Sequence, residues 1–160
     1  MTLRRLLLAA TLAFFVLIVL GGMVRVNEAG GACPDWPTCF GQFTPPAAEN
    51  ALLDYTHRIA TVIAAVLLVA AVIVAWRGLR REKMIWRALL ISLGMLAIQV
   101  VLGAIISLGD VPNNTEWLTT IHLGLSLLIV ASILVVTVST YYLELVPHRP
   151  NRLRFRSLFA

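Results

Sequence analysis

The chain has 160 residues, 59% of them hydrophobic and only 13% charged, with a net charge of +5 and a mean hydropathy of +0.88. Those values exclude an ordinary soluble domain and describe an integral membrane protein. The basic balance follows from how arginines are placed along a membrane topology, with anionic lipid as the counterpart, and gives no support to nucleic acid binding.

Four apolar runs reach the roughly 20 residues needed to cross a hydrocarbon core. The first, about 6–24, follows Arg4 and Arg5. A basic start before an apolar stretch also fits a signal peptide, with Ala29-Gly30-Gly31-Ala32 ahead of Cys33. The stretch is longer than an h-region of about 7 to 15 residues, and the run before Cys33 lacks the large aliphatic residue of a lipobox, so it reads as a retained helix. A long loop over 27–53, holding Cys33 and Cys39, leads to the second run at 55–76. A short basic loop leads to the third run at 86–108, a short second loop to the fourth at 117–143, and a basic tail occupies 147–160.

Arg4, Arg5, Arg77, Arg80, Arg81, Lys83, Arg87, Arg149, Arg152, Arg154 and Arg156 all fall on one side of this arrangement, leaving Arg25 and Arg58 opposite. The positive-inside rule then places both termini in the cytoplasm and the cysteine loop on the outer side of the cell (plasma) membrane. The expected fold is an all-α, four-transmembrane-helix antiparallel bundle forming one domain over 1–160. Trp36 and Trp117 read as interfacial anchors, Trp76 and Trp86 as flanks of the cytoplasmic loop, and His148 as part of the solvated tail.

A short internal repeat divides the chain into two hairpins. Val19-Leu-Gly-Gly-Met-Val-Arg25 resembles Val101-Leu-Gly-Ala-Ile-Ile-Ser107, and each copy is followed by an outer loop and a helix with a histidine near its start. Gly21 to His57 spans 36 positions and Gly103 to His122 spans 19, so the first copy carries 17 extra residues, both cysteines among them.

His57 and His122 are the ionisable groups that such helices do not carry without a purpose. Each lies about one turn inside its apolar run, at matched depth, as two axial ligands of one haem iron require. Ala60, Thr61 and Ala64 follow His57, and Ser126 follows His122, leaving room for a flat macrocycle, as do Gly21, Gly22, Gly103 and Ala104. The competing reading is a pair of interfacial histidines bonded to loops. Zinc would want about four ligands, which the histidines alone do not supply.

Asp54 precedes His57 by three residues and is open to three roles: N-cap of the second helix, acceptor orienting a neighbouring group, or general acid or base beside a cofactor. Arg25 and Arg58 are suited to haem propionates, or else pair with Glu28, Asp35 or Asp54. Cys33 and Cys39, in an oxidising compartment, are expected to form a disulfide. Their five-residue spacing departs from the C-x-x-C of thiol oxidoreductases, so a structural clasp and a redox relay both stand.

Gly21-Gly22-Met-Val-Arg25, Ala29-Gly30, Cys33-Pro-Asp-Trp-Pro-Thr-Cys39-Phe-Gly41, Asp54-Tyr-Thr-His57-Arg58, Gln99-Val-Val-Leu102-Gly103 and His122, taken in order, resemble the haem A synthase family. The resemblance implies a membrane oxidase that converts the ring D methyl of haem O to a formyl group, yielding haem A for terminal oxidases. Members are described as eight-helix proteins of two similar halves, and this chain resembles the N-terminal half. It implies His57 and His122 as axial ligands of haem O substrate or haem b, with Cys33 and Cys39 as the outer-loop pair. Asp54 stands where the family has the glutamate of Glu-x-x-His-Arg, one methylene shorter, and is the implied catalytic carboxylate. A homo-oligomer or second haem-binding subunit, a haem O synthase and a quinone electron acceptor are the implied partners. Two other functions fit the residues: a bis-histidine cytochrome b that leaves its haem unaltered, and a quinone-linked thiol oxidoreductase.

Overall fold

The structure, a computed structural model, describes residues 3–44, 47–78, 82–108 and 115–145. Most of the second loop and the whole basic tail, with His148, lie outside these residues. Four α-helices follow in order: α1 (Leu3–Val26), α2 (Glu49–Gly78), α3 (Lys83–Leu108) and α4 (Thr115–Leu145). All four are long and apolar enough to cross a membrane. Where no water can bond the backbone, only internal i to i−4 bonding satisfies it, and helices result.

Each helix outruns its apolar stretch, and the largest difference is at α2, which starts at Glu49 rather than near 55. The added turns carry Glu49 at the positive end of the helix dipole, and they bury Ala51 and Tyr55 beneath the cysteine loop. Asp54 is therefore inside the second turn of α2, which corrects the N-cap reading. At the end of α1 the chain turns through a left-handed residue, Glu28, with the Ala29 N–H donating to Val24 O and the Glu28 N–H to Arg25 O. This pair of bonds is a Schellman cap, and it aims the chain into the cysteine loop.

Within the bundle α1 packs on α2, α3 on α4, and α1 on α4, while α2 and α3 meet least closely. The helices thus form a square, with α2 and α4 on one diagonal and α1 and α3 on the other.

The two ends of this square are packed differently. Leu6, Leu7, Ala10 and Phe14 of α1 join Leu68 and Ala71 of α2, Leu89 and Leu96 of α3, and Ile129, Ile133 and Val136 of α4 in one buried apolar cluster. Thr11 bonds Thr137 across α1 and α4 at 3.0 Å, and Ser92 bonds Ser132 across α3 and α4 at 2.9 Å. Such interhelical bonds contribute about 0.6 kcal/mol each in a bilayer, beside the van der Waals contact that holds membrane helices together. Toward the cysteine loop this core stops. Beyond Phe14 no residue of α1 is buried, and beyond Gln99 none of the described residues of α3 is.

Candidate functional site

The half of the bundle without an apolar core is where the two histidines stand. His57 lies eight residues past the start of α2 and His122 seven past the start of α4, so their depths match, two turns in rather than one.

Each imidazole rests against a glycine of its hairpin partner. A Cβ built on Gly21 of α1 would stand 3.1 Å from His57 Cε1, and one on Gly103 of α3 would stand 3.2 Å from His122 Cε1. Both separations are tighter than ordinary contact, so only glycine lets the rings sit where they do. The repeat extends one turn further: Thr61 Oγ1 donates to His57 O and Ser126 Oγ to His122 O, each at 2.9 Å. Nδ1 of both histidines is buried and unpaired among the described residues. Two buried polar nitrogens at equivalent places are costly unless something bonds them.

The cysteine loop sits over the start of α2. Cys33 and Cys39 are joined by a disulfide, and Cys39 pairs with Gln42 through mutual backbone bonds around a turn in which Phe40 and Gly41 both have positive φ. That turn is the hairpin type whose twist matches its flanking residues. Tyr55 Oη donates to Phe43 O at 2.5 Å, fastening the far side of the loop to α2.

Asp54 and Arg58 are buried at the centre of this loop, and they hold each other. Arg58 Nη2 donates to Asp54 Oδ2 at 3.0 Å and Nε to Oδ1 at 3.3 Å. The guanidinium also donates to the carbonyls of Cys33 (3.1 Å), Thr38 (2.8 Å) and Asp35, and to Ser107 Oγ of α3 at 2.6 Å. Asp54 Oδ2 accepts the Cys33 N–H at 3.2 Å as well. All five donor hydrogens of Arg58 are therefore spoken for by the chain. Arg25, at the end of α1, is exposed.

Asp35 belongs to the loop itself. The Thr38 hydroxyl donates to its Oδ2, as does the Gly41 N–H at 3.0 Å. These bonds, Thr38 first, hold the carboxyl below its ordinary range against the opposing effect of desolvation.

Sequence reasoning thus found the residues that converge here, His57, His122, Asp54, Arg58, Cys33 and Cys39. It missed Tyr55, Ser107 and Gln99. A lone glutamine within an apolar helix, one turn before Gly103, was the available signal for the last.

A four-helix, multi-pass membrane protein with one histidine on each of two diagonal helices, each set against a glycine in the thinly packed half of the bundle, is the class that fold and site define. The chain matches the family described as cytochrome oxidase assembly protein, COX15-CtaA, over residues 4–160, and belongs to it. Among curated proteins it is 28% identical to a haem A synthase of Bacillus pumilus over 142 residues, 84% of this chain and 44% of that protein. It is 28% identical to a haem A synthase of Staphylococcus saprophyticus over 79% of this chain and 42% of that one. It is 31% identical to a protohaem IX farnesyltransferase of Halobacterium salinarum over 131 residues, 81% of this chain and 27% of that one. The chain thus spans less than half the length of these relatives. No solved structure matches it.

Proposed function

We propose that the chain is a haem A synthase-type oxidase, acting on the ring D methyl of haem O and carrying it to the formyl group of haem A. The observation that carries this reading is the histidine pair: matched depth, diagonal helices, a glycine against each ring and an unpaired Nδ1 on each. Those features fit a haem, since a flat macrocycle needs an open interior and an imidazole from each side. His57 and His122 would hold the iron, and the iron, when bound, supplies the electron chemistry.

The chain's own residues do the rest. Gly21 and Gly103 keep the interior open, and Thr61 and Ser126 bond the carbonyls of the histidines they follow. Arg25, exposed at the same end, is the cation assigned to the propionates. Arg58, committed to the cysteine loop, fixes the entry of α2 and with it His57. The disulfide-closed loop acts as a lid over that entry and keeps bulk water from it.

Asp54 is the carboxylate closest in sequence to His57, and both of its oxygens already accept bonds. Its first role is to hold Arg58. Three of its roughly four lone-pair sites are used in this way, and that commitment to the loop favours a second reading, a cytochrome b that does not alter its haem. The match to farnesyltransferases supports a partner enzyme that attaches the isoprenoid group to protohaem IX. The positive-inside rule puts the cysteine loop on the outer face of the plasma membrane, and a quinone is the proposed electron acceptor.

The test is mass analysis of porphyrin extracted from protein produced with a haem O supply. Hydroxylated haem O or haem A in the native chain, lost in Asp54→Asn and regained in Asp54→Glu, is expected of the oxidase. Unmodified haem in all three, with a low-spin spectrum abolished by His57→Ala or His122→Ala, identifies the cytochrome instead.

A further inference from the structure

Beside His122 a buried glutamine is only half used. Gln99 of α3 is 8% exposed. Its Nε2 donates to the backbone carbonyl of His122 at 2.8 Å and to Ser126 Oγ. Those two bonds use both amide hydrogens, and they fix which way the carboxamide points, because exchanging nitrogen for oxygen would set one carbonyl oxygen against another. Gln99 Oε1 is left buried without a donor, and His122 Nδ1 is buried without a partner. The residue that carries the orphaned acceptor is thus bonded to the backbone of the residue that carries the orphaned ring nitrogen.

In the first hairpin the equivalent position is Leu17, four residues before Gly21 as Gln99 is four before Gly103, and its side chain offers no acceptor.

We propose that Gln99 is the positioning residue for His122: its Oε1 accepts the Nδ1–H of that imidazole through one bridging water. This inference rests on the haem-ligation reading above for its purpose, though not for its geometry. An acceptor at Nδ1 fixes the tautomer and turns the Nε2 lone pair toward the space a metal would occupy. It would also make the imidazole a stronger donor to a bound iron than an unassisted ring. The bonds to His122 O and Ser126 hold the amide in place for this task. A water suffices as the bridge because it would meet polar partners on both sides.

The experiment reads the apoprotein first, in detergent micelles, by nitrogen-15 spectroscopy of labelled histidine, with each histidine assigned by its own substitution. His122 is expected as the Nδ1–H tautomer in the native chain. Gln99→Leu should shift it to a mixture or to the Nε2–H form, and Gln99→Glu, which keeps an acceptor, should restore Nδ1–H. Ser126→Ala removes one anchor of the amide but not the acceptor, and should leave the tautomer in place. With haem bound, Gln99→Leu should weaken retention by about 10-fold and raise the midpoint potential, and Gln99→Glu should lower that potential. Native and Gln99→Leu proteins with the same His122 tautomer, or a native His122 protonated at Nε2, would overturn the proposal even if haem binds normally. Failure to take up any haem would instead overturn the proposed function, with the tautomer still deciding the role of Gln99. If Gln99→Leu does not fold, the comparison of Gln99→Met with Gln99→Glu serves.

Discussion

The two hairpins repeat one device and then surround it differently. In each, a glycine on the first helix receives the histidine of the second, and a hydroxyl one turn later bonds that histidine's carbonyl. Around His57 the device is set in a covalently closed loop and a buried ion pair. Around His122 it is set against one glutamine side chain. A shared core with unequal surroundings is what a site needs when its two faces must be told apart: on the proposed function the pair would hold the ligand, and the difference would orient it. Ser107 gives the clearest instance. It stands at the repeat position of Arg25, yet it receives the arginine of the other hairpin.

The sharpest way to break the comparison is to remove the element found on one side alone. Arg58→Ala leaves Asp54 buried with no counter-charge and frees three loop carbonyls, and should cost about 3–5 kcal/mol, read as a large fall in thermal unfolding temperature in detergent. Arg58→Lys should recover little of this, because a single ammonium cannot reproduce the forked contacts. A loss under about 1 kcal/mol would make the loop a passenger rather than a support.

The next effect should be equal on both sides. Gly21→Ala and Gly103→Ala each push a methyl toward an imidazole, and each should weaken haem retention by about 10-fold while the apoprotein changes little, since alanine's better helix propensity offsets the strain. A response on one side alone would mean that one histidine carries the ligand.

The smallest effect belongs to the loop's own carboxylate. Asp35 is held below its ordinary value of 3.8 by Thr38 and Gly41, so its contribution is present above that value and lost as pH falls through the lower, folded one. Fluorescence of the neighbouring Trp36 should stay constant down to that acid range and then change. In Asp35→Asn the step should vanish.

Much of this was legible beforehand, for reasons specific to each element. The four spans follow from apolar run length, which a bilayer makes nearly decisive, and the histidines stand out because ionisable groups are scarce in such runs. The start of α2 was misplaced because Glu49 to Asp54 is polar enough to read as loop. Only burial under the disulfide makes those residues helical in place. Arg58 could be assigned to propionates or to Asp54 from sequence, and the choice depended on carbonyls of Cys33, Asp35 and Thr38 that no side-chain pattern reveals. Gln99 was named only within the family pattern and given no role, because its partners, a backbone carbonyl and a hydroxyl, lie on another helix.

The missing apolar core around the histidines bears on how the protein matures. On the proposed function, a bound macrocycle would fill this space and complete the core, so that loading and final consolidation would be one event. Any molecule that binds only the closed form adds RT ln(1 + [L]/Kd) to stability, about 2.7 kcal/mol at a hundredfold excess over Kd. On the same reading, a shortage of the macrocycle would leave the chain in its less stable form, and supply of the ligand would bear on its abundance.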